Sequence, residues 1–430
     1  MTSQPRFERN LPALLEDVYL GSTPSYRHDL LAATGRTRQR PAWSFPERWL
    51  PVDITNRLAF APRLPTRALA IALLILALVV AGAIAYIGSH PARLPAPFGP
   101  ARNGVLVYAV DGDIYSVDPV SGSSHAITSG AAIDRKPTVS SDGTRVAFLR
   151  GDGNTGDAFD LMIANLDGTD IRAISTATIS DGDPFAWSPD GTFILLNNVQ
   201  GDLVRYNANG DAPVVVLRQT YMHGFQPPTG QKVLYETITG GRTLGLMNAD
   251  GTAATPIYTI PPAETKDGCD YGTVAWSPDG TRIAFNRRPI GTDQCRIFVM
   301  NADGTRAHQL TTDTHQLTET DFRWSPDGTM IAFDRWDNTV GAWQIQPIGV
   351  VQSTGGATRS LGPTPVSDGA VFEWSPDGAS IVSAPGTVIQ WPPSTAMPSA
   401  RPMIIDVATG AAHEATWSVN SWPSWQRLAP

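Results

Sequence analysis

The sequence of 430 residues is poor in charge, in cysteine and in histidine. Charged residues make up 17% of it, and Lys and Arg (32) are outnumbered by Asp and Glu (40), which excludes a basic nucleic-acid-binding protein and a disordered polyelectrolyte. The seven histidines are scattered without the spacing of a metal site. The sequence lacks G-x-S-x-G, H-E-x-x-H and phosphate-binding loops, so it predicts neither catalysis nor a bound cofactor or metal ion.

Glycine (39) and proline (36) are abundant, which is typical of a folded protein with many tight turns. The charge is divided unevenly along the chain. Residues 1–67 hold ten arginines and six acids, residues 68–88 hold no charge, and residues 89–430 hold 22 basic and 34 acidic residues. The pattern therefore indicates a basic tail, an apolar segment and an acidic body.

The apolar segment, residues 68–88, is long enough to cross the roughly 30 Å hydrocarbon core of a membrane as a helix. Because 67 residues precede it, the segment predicts a retained transmembrane helix rather than a cleaved signal peptide. Nearby arginines are Arg48, Arg57, Arg63 and Arg67 on its N-terminal side, and Arg93 and Arg102 on the other. This asymmetry predicts a single-pass cell-membrane protein with a cytoplasmic tail (1–67), a linker (89–101) and an extracytoplasmic domain (102–428).

The extracytoplasmic part is built from repeats. The motif WSPDG recurs at Trp187, Trp276, Trp324 and Trp374, and each copy opens a series of short apolar runs separated by a turn and a DG turn. Weaker copies are anchored at Val139 and Phe225, and a last half-copy at Trp425, which makes seven anchors about 48 residues apart. Units of this length with four short strands are typical of β-propeller blades.

The turn residues support this interpretation, since Pro presets φ, Asp bonds its own backbone and Gly adopts positive φ. The tryptophan before each turn is predicted to pack in the core between sheets. Residues 104–128 form three strands without a preceding Trp strand, and residues 420–425 form a Trp strand with nothing after it. The two ends would complete one blade, so we expect an all-β, seven-bladed propeller closed by its terminal strands. A six-bladed ring is the alternative if the weak copy near residue 225 is absorbed.

These repeats resemble those of the TolB-like propeller family, periplasmic relatives of WD-type repeats marked by WSPDGxxIAF followed by IYVMNADGT. The resemblance covers about residues 102–428 and implies the fold more than the function. The third copy departs from the pattern because FQPPTG replaces WSPDG, and the sixth unit carries an insertion at residues 391–402.

A binding surface is predicted on one face of the ring. The SPDG and DG turns share one face, which we call the SPDG face. The loops between second and third strands and between successive units share the other, which we call the variable face. The candidate binding face comprises Asp152, Asp157, Asp160, Asp181, Asp183, Glu264, Asp267, Asp270, Asp293, Asp313, Glu319, Asp321, Asp337 and Asp368. Such acids would favour a cation or a basic partner, and a solvated acidic rim is the alternative.

The two cysteines, Cys269 and Cys295, are predicted on the variable face of one blade. On the oxidising side of a membrane this favours a structural disulfide, with two free thiols as the alternative. A lactonase-like propeller hydrolase with Asp183, Asp270 and Asp321 around a metal ion remains the catalytic alternative.

The tail contains two short helical candidates, LPALLEDVYL and SYRHDLLAAT. They are followed by Arg36, Arg38, Arg40 and Arg48, interleaved with Trp43, Phe45 and Trp49. Arginine beside aromatic residues suits the inner membrane surface. Over about residues 7–53 the tail also resembles the N-termini of bacterial membrane proteins that are linked to extracytoplasmic-function sigma factors and carry an ERWLPVD-like segment.

That resemblance implies that the two helices bind a sigma factor while the outer domain senses a signal. A zinc-type anti-sigma domain is excluded, because residues 1–67 contain no cysteine and one histidine. The sequence thus predicts a membrane-anchored propeller that binds or scaffolds a protein or small ligand and not nucleic acid. A transmembrane regulator with an anti-sigma-like tail is the alternative.

Overall fold

The computed structural model describes residues 74–76, 98–151, 159–175, 185–198, 200–237, 242–264, 269, 273–312, 317–337, 344–363, 370–385, 400–419 and 423–429. The chain divides into two compact units, Met1–Pro91 and Ala92–Pro430. In the first, residues 74–76 are helical, and the rest of the predicted tail and of the predicted span 68–88 lies outside the described residues. Within the described ranges, no helix has the length and apolar character needed to cross a membrane.

The described part of the second unit consists of short strands and one 3-10 turn at Pro262–Glu264. The strands are β1 (Arg102–Val110), β2 (Asp113–Val117), β3 (Ser124–Ala126), β4 (Ile133–Val139), β5 (Arg145–Gly151), β6 (Asp160–Asn165), β7 (Arg172–Ala173), β8 (Phe185–Trp187), β9 (Phe193–Asn197), β10 (Leu203–Asn207), β11 (Val214–Leu217), β12 (Thr220–Phe225), β13 (Lys232–Thr237), β14 (Thr243–Asn248), β15 (Thr255–Thr259), β16 (Val274–Trp276), β17 (Arg282–Arg287), β18 (Arg296–Asn301), β19 (His308–Gln309), β20 (Leu317–Trp324), β21 (Met330–Asp337), β22 (Gln344–Ile345), β23 (Ile348–Gln352), β24 (Arg359–Leu361), β25 (Ala370–Trp374), β26 (Ser380–Pro385), β27 (Met403–Asp406), β28 (Ala412–Glu414) and β29 (Ser424–Leu428).

These strands form seven antiparallel sheets, the blades of a propeller. We number them by their first strands: blade 1 (β4–β7), blade 2 (β8–β11), blade 3 (β12–β15), blade 4 (β16–β19), blade 5 (β20–β24), blade 6 (β25–β28) and blade 7 (β29 with β1–β3). Blades 1 to 4 and blade 6 each have four strands in sequence order, blade 7 has four with β29 before β1, and in blade 5 β22 adds a short fifth strand beside β21. The predicted seven blades are confirmed, and the six-bladed alternative is wrong because the degenerate third copy forms a complete sheet.

The first strand of each blade lies at the inside of the ring. Contacts join β29 to β4, β4 to β8, β8 to β12, β12 to β16 and β16 to β20. The fourth strands β3, β11 and β15 are largely exposed, as expected at the outer rim. This is the arrangement of propeller blades around a central channel.

The two ends of the propeller meet in blade 7. Strand β1 pairs with β2 on one side and with β29 on the other, so that Leu106 lies opposite both Val117 and Trp425. The predicted closure by terminal strands is therefore confirmed. Because the last strand completes the blade begun by the first, the ring has no unpaired end blade to expose an inner edge.

Apolar side chains fill the spaces between blades. Trp187 of blade 2 packs in one cluster with Leu149 of blade 1, and Trp324 of blade 5 packs with Ile297 of blade 4. Equivalent positions are occupied by Trp276, Trp374 and the partly buried Trp425. Burial of one such ring contributes about 2–3 kcal/mol, so these residues hold neighbouring blades together.

An arginine from one blade covers the tryptophan of the next in two places. Arg145 lies 5.0 Å from the ring centre of Trp187 and donates a hydrogen bond to the Gly191 carbonyl at 2.6 Å. Arg282 lies 4.8 Å from the ring centre of Trp324. Each contact joins two blades through a cation–π interaction worth about 0.5–2 kcal/mol.

The carboxylates of the SPDG turns accept hydrogen bonds from groups of the same turn. Ser188 Oγ donates to Asp190 Oδ1 at 2.6 Å, and the Thr192 N–H donates to the same oxygen at 3.0 Å. Burial acts to raise the pKa of Asp190, but these hydrogen bonds outweigh it and hold the pKa below its ordinary value. Equivalent bonds occur at Asp142, Asp279 and Asp327.

Candidate functional site

Three innermost strands carry a β-bulge between the variable face and their anchor residue. Lys136 lies in the shifted stretch of β4, His223 in that of β12, and Asp321 in that of β20. Lys136 (φ 51°) and Asp321 (φ 41°) have positive φ, and in β12 Gly224 adopts it (φ 124°). A bulge interrupts pairing and re-aims a side chain, so Lys136, His223 and Asp321, which we call the bulge residues, depart from the regular ladder around the channel.

A buried ion pair orients His223. Its Nε2 lies 2.9 Å from Oε2 of Glu236, whose Oε1 accepts a hydrogen bond from Arg242 Nε at 2.5 Å. The side chains of Glu236 and Arg242 are 4% and 5% exposed, and that of His223 is 16% exposed. Burial acts to raise the pKa of Glu236, but hydrogen bonds from His223 and Arg242 outweigh it and hold the pKa below its ordinary value. An ionised carboxylate therefore fixes one imidazole nitrogen.

Arg242 connects this ion pair to the disulfide. Its Nη1 donates to the main-chain oxygen of Cys269 at 2.6 Å. Cys269 is bonded to Cys295, with the two Cα atoms 5.7 Å apart, and the carbonyl of Cys295 accepts a hydrogen bond from the Glu319 N–H at 3.1 Å. The disulfide thus joins the loop that enters blade 4 to the start of β18, and its flanking carbonyls contact blades 3 and 5.

Two acids predicted on the variable face lie in the interior and contact arginines. Glu319 is 1% exposed, accepts a hydrogen bond from the Thr311 hydroxyl, and lies 3.9 Å from Arg296 Nη1. Glu264 is 3% exposed and forms an ion pair with Arg287. Because the arginines offset these two buried charges, Glu264 and Glu319 are not part of a solvated acidic rim, which was the alternative to a binding face.

Blade 1 fixes the start of its innermost strand in a similar way. Arg150 on β5 donates from Nε and Nη2 to the two carboxylate oxygens of Asp134 on β4, at 2.6 and 2.8 Å. Asp134 is 1% exposed, and its N–H donates to the Gly112 carbonyl of blade 7 at 2.7 Å. This two-point pairing holds the strand just before Lys136.

A buried carboxyl group lies beside the third bulge residue. Asp334 on β21 is directly opposite Thr320, immediately before the bulge at Asp321, and is 2% exposed. Asp321 is exposed, and the Thr273 hydroxyl lies 3.3 Å from its Oδ1. Burial, followed by the charge of Asp321, raises the pKa of Asp334 well above its ordinary value against the opposing effect of Arg323.

Three further residues of the candidate binding face lie in the part of the chain that the structure describes. Asp160 begins β6 opposite Arg150, Asp293 is exposed and lies 3.3 Å from Arg288, and Asp337 ends β21 partly buried. The remaining eight lie outside the described residues: Asp152, Asp157, Asp181, Asp183, Asp267, Asp270, Asp313 and Asp368. In the part of the chain that the structure describes, no group of three or more His, Cys, Asp or Glu side chains is arranged to hold a metal ion.

Five residues of the site are not predicted from the sequence: Lys136, His223, Glu236, Arg242 and Asp334. A signal for the bulges was present, since DRKPTV, YMHGF and TETDFRW all place ionisable residues within three positions of an anchor. The sequence pattern does not identify the partners of these residues, because the register between neighbouring strands determines which side chains meet.

The fold and the site define a closed, seven-bladed propeller with WSPDG repeats and ionisable residues on bulged inner strands. The predicted resemblance to TolB-like propellers is confirmed for the fold by the seven closed blades. No protein-family model matches the chain, and no curated protein matches its sequence.

Several solved structures are similar to it. An oligogalacturonate lyase from Vibrio parahaemolyticus is 13% identical with a TM-score of 0.54, over 74% of this chain and 90% of that one. A prolyl endopeptidase is 13% identical with a TM-score of 0.51, over 76% of this chain and 50% of that one. A putative TolB from Agrobacterium tumefaciens is 20% identical with a TM-score of 0.42, over 65% of this chain and 96% of that one. At these identities the similarity concerns the fold alone.

Proposed function

We propose that this chain is a binding module whose site is the mouth of the central channel on the variable face. This proposal rests mainly on the position of Lys136, His223 and Asp321 at bulges of three innermost strands. The buried ion pair Asp134–Arg150 supports the strand that carries Lys136, and the buried ion pair Glu236–Arg242 supports the strand that carries His223. Polar groups that are preorganised around a concave opening are suited to fixing the orientation of a ligand.

A comparison of the two faces supports this location. On the SPDG face the turn carboxylates accept hydrogen bonds from their own serine and backbone N–H groups, which leaves them little capacity for a ligand. The bulge residues carry an ammonium, an imidazole and a carboxylate group. We therefore infer a polar ligand, or a polar segment of a partner protein, rather than an apolar one.

Affinity recovery from native membranes tests this proposal. The tagged full-length chain is compared with Lys136→Ala/His223→Ala and with the control Asn209→Ala/Asp211→Ala, which alters exposed residues of a turn on the SPDG face. We expect the ligand that the wild type and the control recover to decrease at least about tenfold with the first variant. Equal recovery by all three proteins would exclude the channel mouth as the site.

We propose further that residues 68–88 anchor the module in the cell membrane with the tail in the cytoplasm. The length of this apolar segment and the arginines before it support that orientation. On intact spheroplasts a membrane-impermeant thiol reagent should label Ser121→Cys, in the exposed turn between β2 and β3, and should label Ser3→Cys only after permeabilisation. The opposite pattern, or protection of both sites, would contradict this topology.

A regulatory output through the tail is a second candidate function. The two helical candidates before the arginine-rich segment, and the resemblance over residues 7–53, support an interaction with a sigma factor. Residues 1–67 should then enrich a sigma factor from a lysate over a scrambled tail of the same composition. Without such enrichment the tail would be only a membrane-surface segment.

A further inference from the structure

Asp334 is unusual among the buried acids because no described residue donates a hydrogen bond to it. Asp134, Glu236 and Glu319 are buried to a similar degree, but each contacts an arginine within 4 Å. An isolated buried carboxylate is costly, so such groups normally have a counter-charge or a metal ion. Burial raises the pKa of Asp334, so the carboxyl group either keeps its proton or ionises when a cation supplies the counter-charge.

Two charged groups act on Asp334, and their effects oppose each other. Asp321, beside the residue opposite Asp334, is a second carboxylate and increases the local negative charge. Arg323 acts on Asp334 electrostatically, but its Nη1 donates to the Phe322 carbonyl at 3.0 Å and its Nε lies 4.0 Å from Glu373. The arginine is thus engaged elsewhere, and two acids share one inner edge of blade 5.

Threonine hydroxyl groups lie next to these two acids. Thr320 is directly opposite Asp334, which puts their Cβ atoms about 4.5–5.5 Å apart on one face of the sheet. Trp336 Nε1 donates to Thr320 Oγ1 at 3.1 Å, and the Thr273 hydroxyl lies 3.3 Å from Asp321 Oδ1. Two carboxylates with neighbouring hydroxyl groups form an all-oxygen set of possible ligands, open to water through the exposed Asp321.

We propose that Asp321 and Asp334 form a calcium site at the inner edge of blade 5. Ca²⁺ accepts carboxylate, hydroxyl and water oxygens in irregular geometry, whereas Mg²⁺ demands a near-octahedral shell. The ion would supply the counter-charge that Asp334 lacks and would join β21 to the bulge of β20. This site shares Asp321 with the proposed channel mouth, but calcium binding is measured without a channel ligand, so the two proposals can fail separately.

Equilibrium dialysis of the full-length chain against ⁴⁵Ca²⁺, in an uncharged detergent after treatment with a chelator, tests the proposal. We expect about one bound ion per chain with a Kd on the order of 0.1–1 mM, the range of sites with few charged ligands. Asp321→Asn and Asp334→Asn should each weaken binding at least about tenfold. Asp303→Asn, the same change in an exposed turn of the SPDG face, should not alter it.

Thermal unfolding of the same four proteins provides a second readout that also reports on folding. Calcium should raise the Tm of the wild type and of Asp303→Asn, and should leave the Tm of the other two variants unchanged. Lack of saturable binding by the wild type up to about 10 mM Ca²⁺ would overturn the proposal. So would unchanged binding by both site variants, or tighter binding of Mg²⁺ than of Ca²⁺.

Discussion

Individual acidic residues of this propeller differ mainly in how far their partners shield them from water. Glu236 and Glu414 each pair with an arginine, but the Glu236–Arg242 pair is almost completely buried, whereas both side chains of the Glu414–Arg401 pair are more than half exposed. Removal of one partner from a buried pair leaves an uncompensated charge, while an exposed pair is replaced by water.

This contrast predicts very different costs for the same substitution. Glu236→Gln should lower the free energy of unfolding by about 3–5 kcal/mol at pH 7, because Arg242 remains buried without its counter-charge. Glu414→Gln should lower it by less than about 1 kcal/mol. Urea unfolding followed by tryptophan fluorescence measures both, and similar losses in the two variants would contradict the buried ion pair.

The pKa of Glu236 gives a pH dependence with a definite sign. Folding holds this pKa below the ordinary value of 4.5, so the contribution of Glu236 to stability is complete above pH 4.5 and is lost as the pH falls through the folded-state value. The free energy of unfolding of the wild type should therefore decrease more steeply below pH 4.5 than that of Glu236→Gln. Parallel pH profiles would show that the carboxyl group is not ionised in the ion pair.

Among the elements, the SPDG turns depend on glycine to different degrees. Gly280 and Gly378 occupy the same place in their turns, with φ of 69° and 75°. A Cβ at Gly280 would lie 1.8 Å from the Pro227 carbonyl oxygen of blade 3, whereas the nearest atom to a Cβ at Gly378 would be 3.6 Å away. The turn of blade 4 therefore packs directly against its neighbour.

Alanine at these two positions separates backbone strain from the inter-blade clash. Gly378→Ala should cost about 1–2 kcal/mol of stability, which is the effect of positive φ alone. Gly280→Ala should cost at least about 2 kcal/mol more, because blades 3 and 4 must move apart. Unfolding midpoints in urea compare the two, and equal losses would argue against this close approach.

The disulfide is the covalent link between two loops of blade 4. Reduction of the Cys269–Cys295 bond should lower the free energy of unfolding by about 2–4 kcal/mol, because it frees a segment with a sequence separation of 26 residues in the unfolded chain. Cys269→Ala/Cys295→Ala should be close in stability to the reduced wild type and insensitive to reductant. A wild type that is also insensitive would indicate that the thiols are free.

The sequence predicts the blades of the propeller better than it predicts the candidate site. The seven anchors recur with a regular period, and four of their turns carry Pro, Asp and Gly, so local signals predict blade number and closure. The site depends on contacts between segments that are separate in the sequence, such as the hydrogen bond from Arg242 to the Cys269 carbonyl and the pairing of Asp134 with Arg150. Register and loop path determine these contacts, and neither has a short-range signal.

For the whole molecule, closure of the ring explains why its two faces differ. Each blade places its tight turns on the SPDG face and its longer loops on the variable face, and β29 beside β1 holds all seven blades in this orientation. The innermost strands β4, β12 and β20 carry ionisable residues at bulges. The two faces should consequently differ in what they bind.

Site-specific photo-crosslinking in living cells tests that difference most directly. A benzophenone amino acid is placed at Ile290, in the variable-face loop of blade 4, or at Val120, in a turn on the SPDG face, where the side chains are 77% and 96% exposed. The adduct, protein or small molecule, is identified by mass spectrometry. We predict a discrete adduct from position 290 and none from position 120, whereas an adduct from position 120 alone, or equal adducts from both, would contradict binding at the variable face.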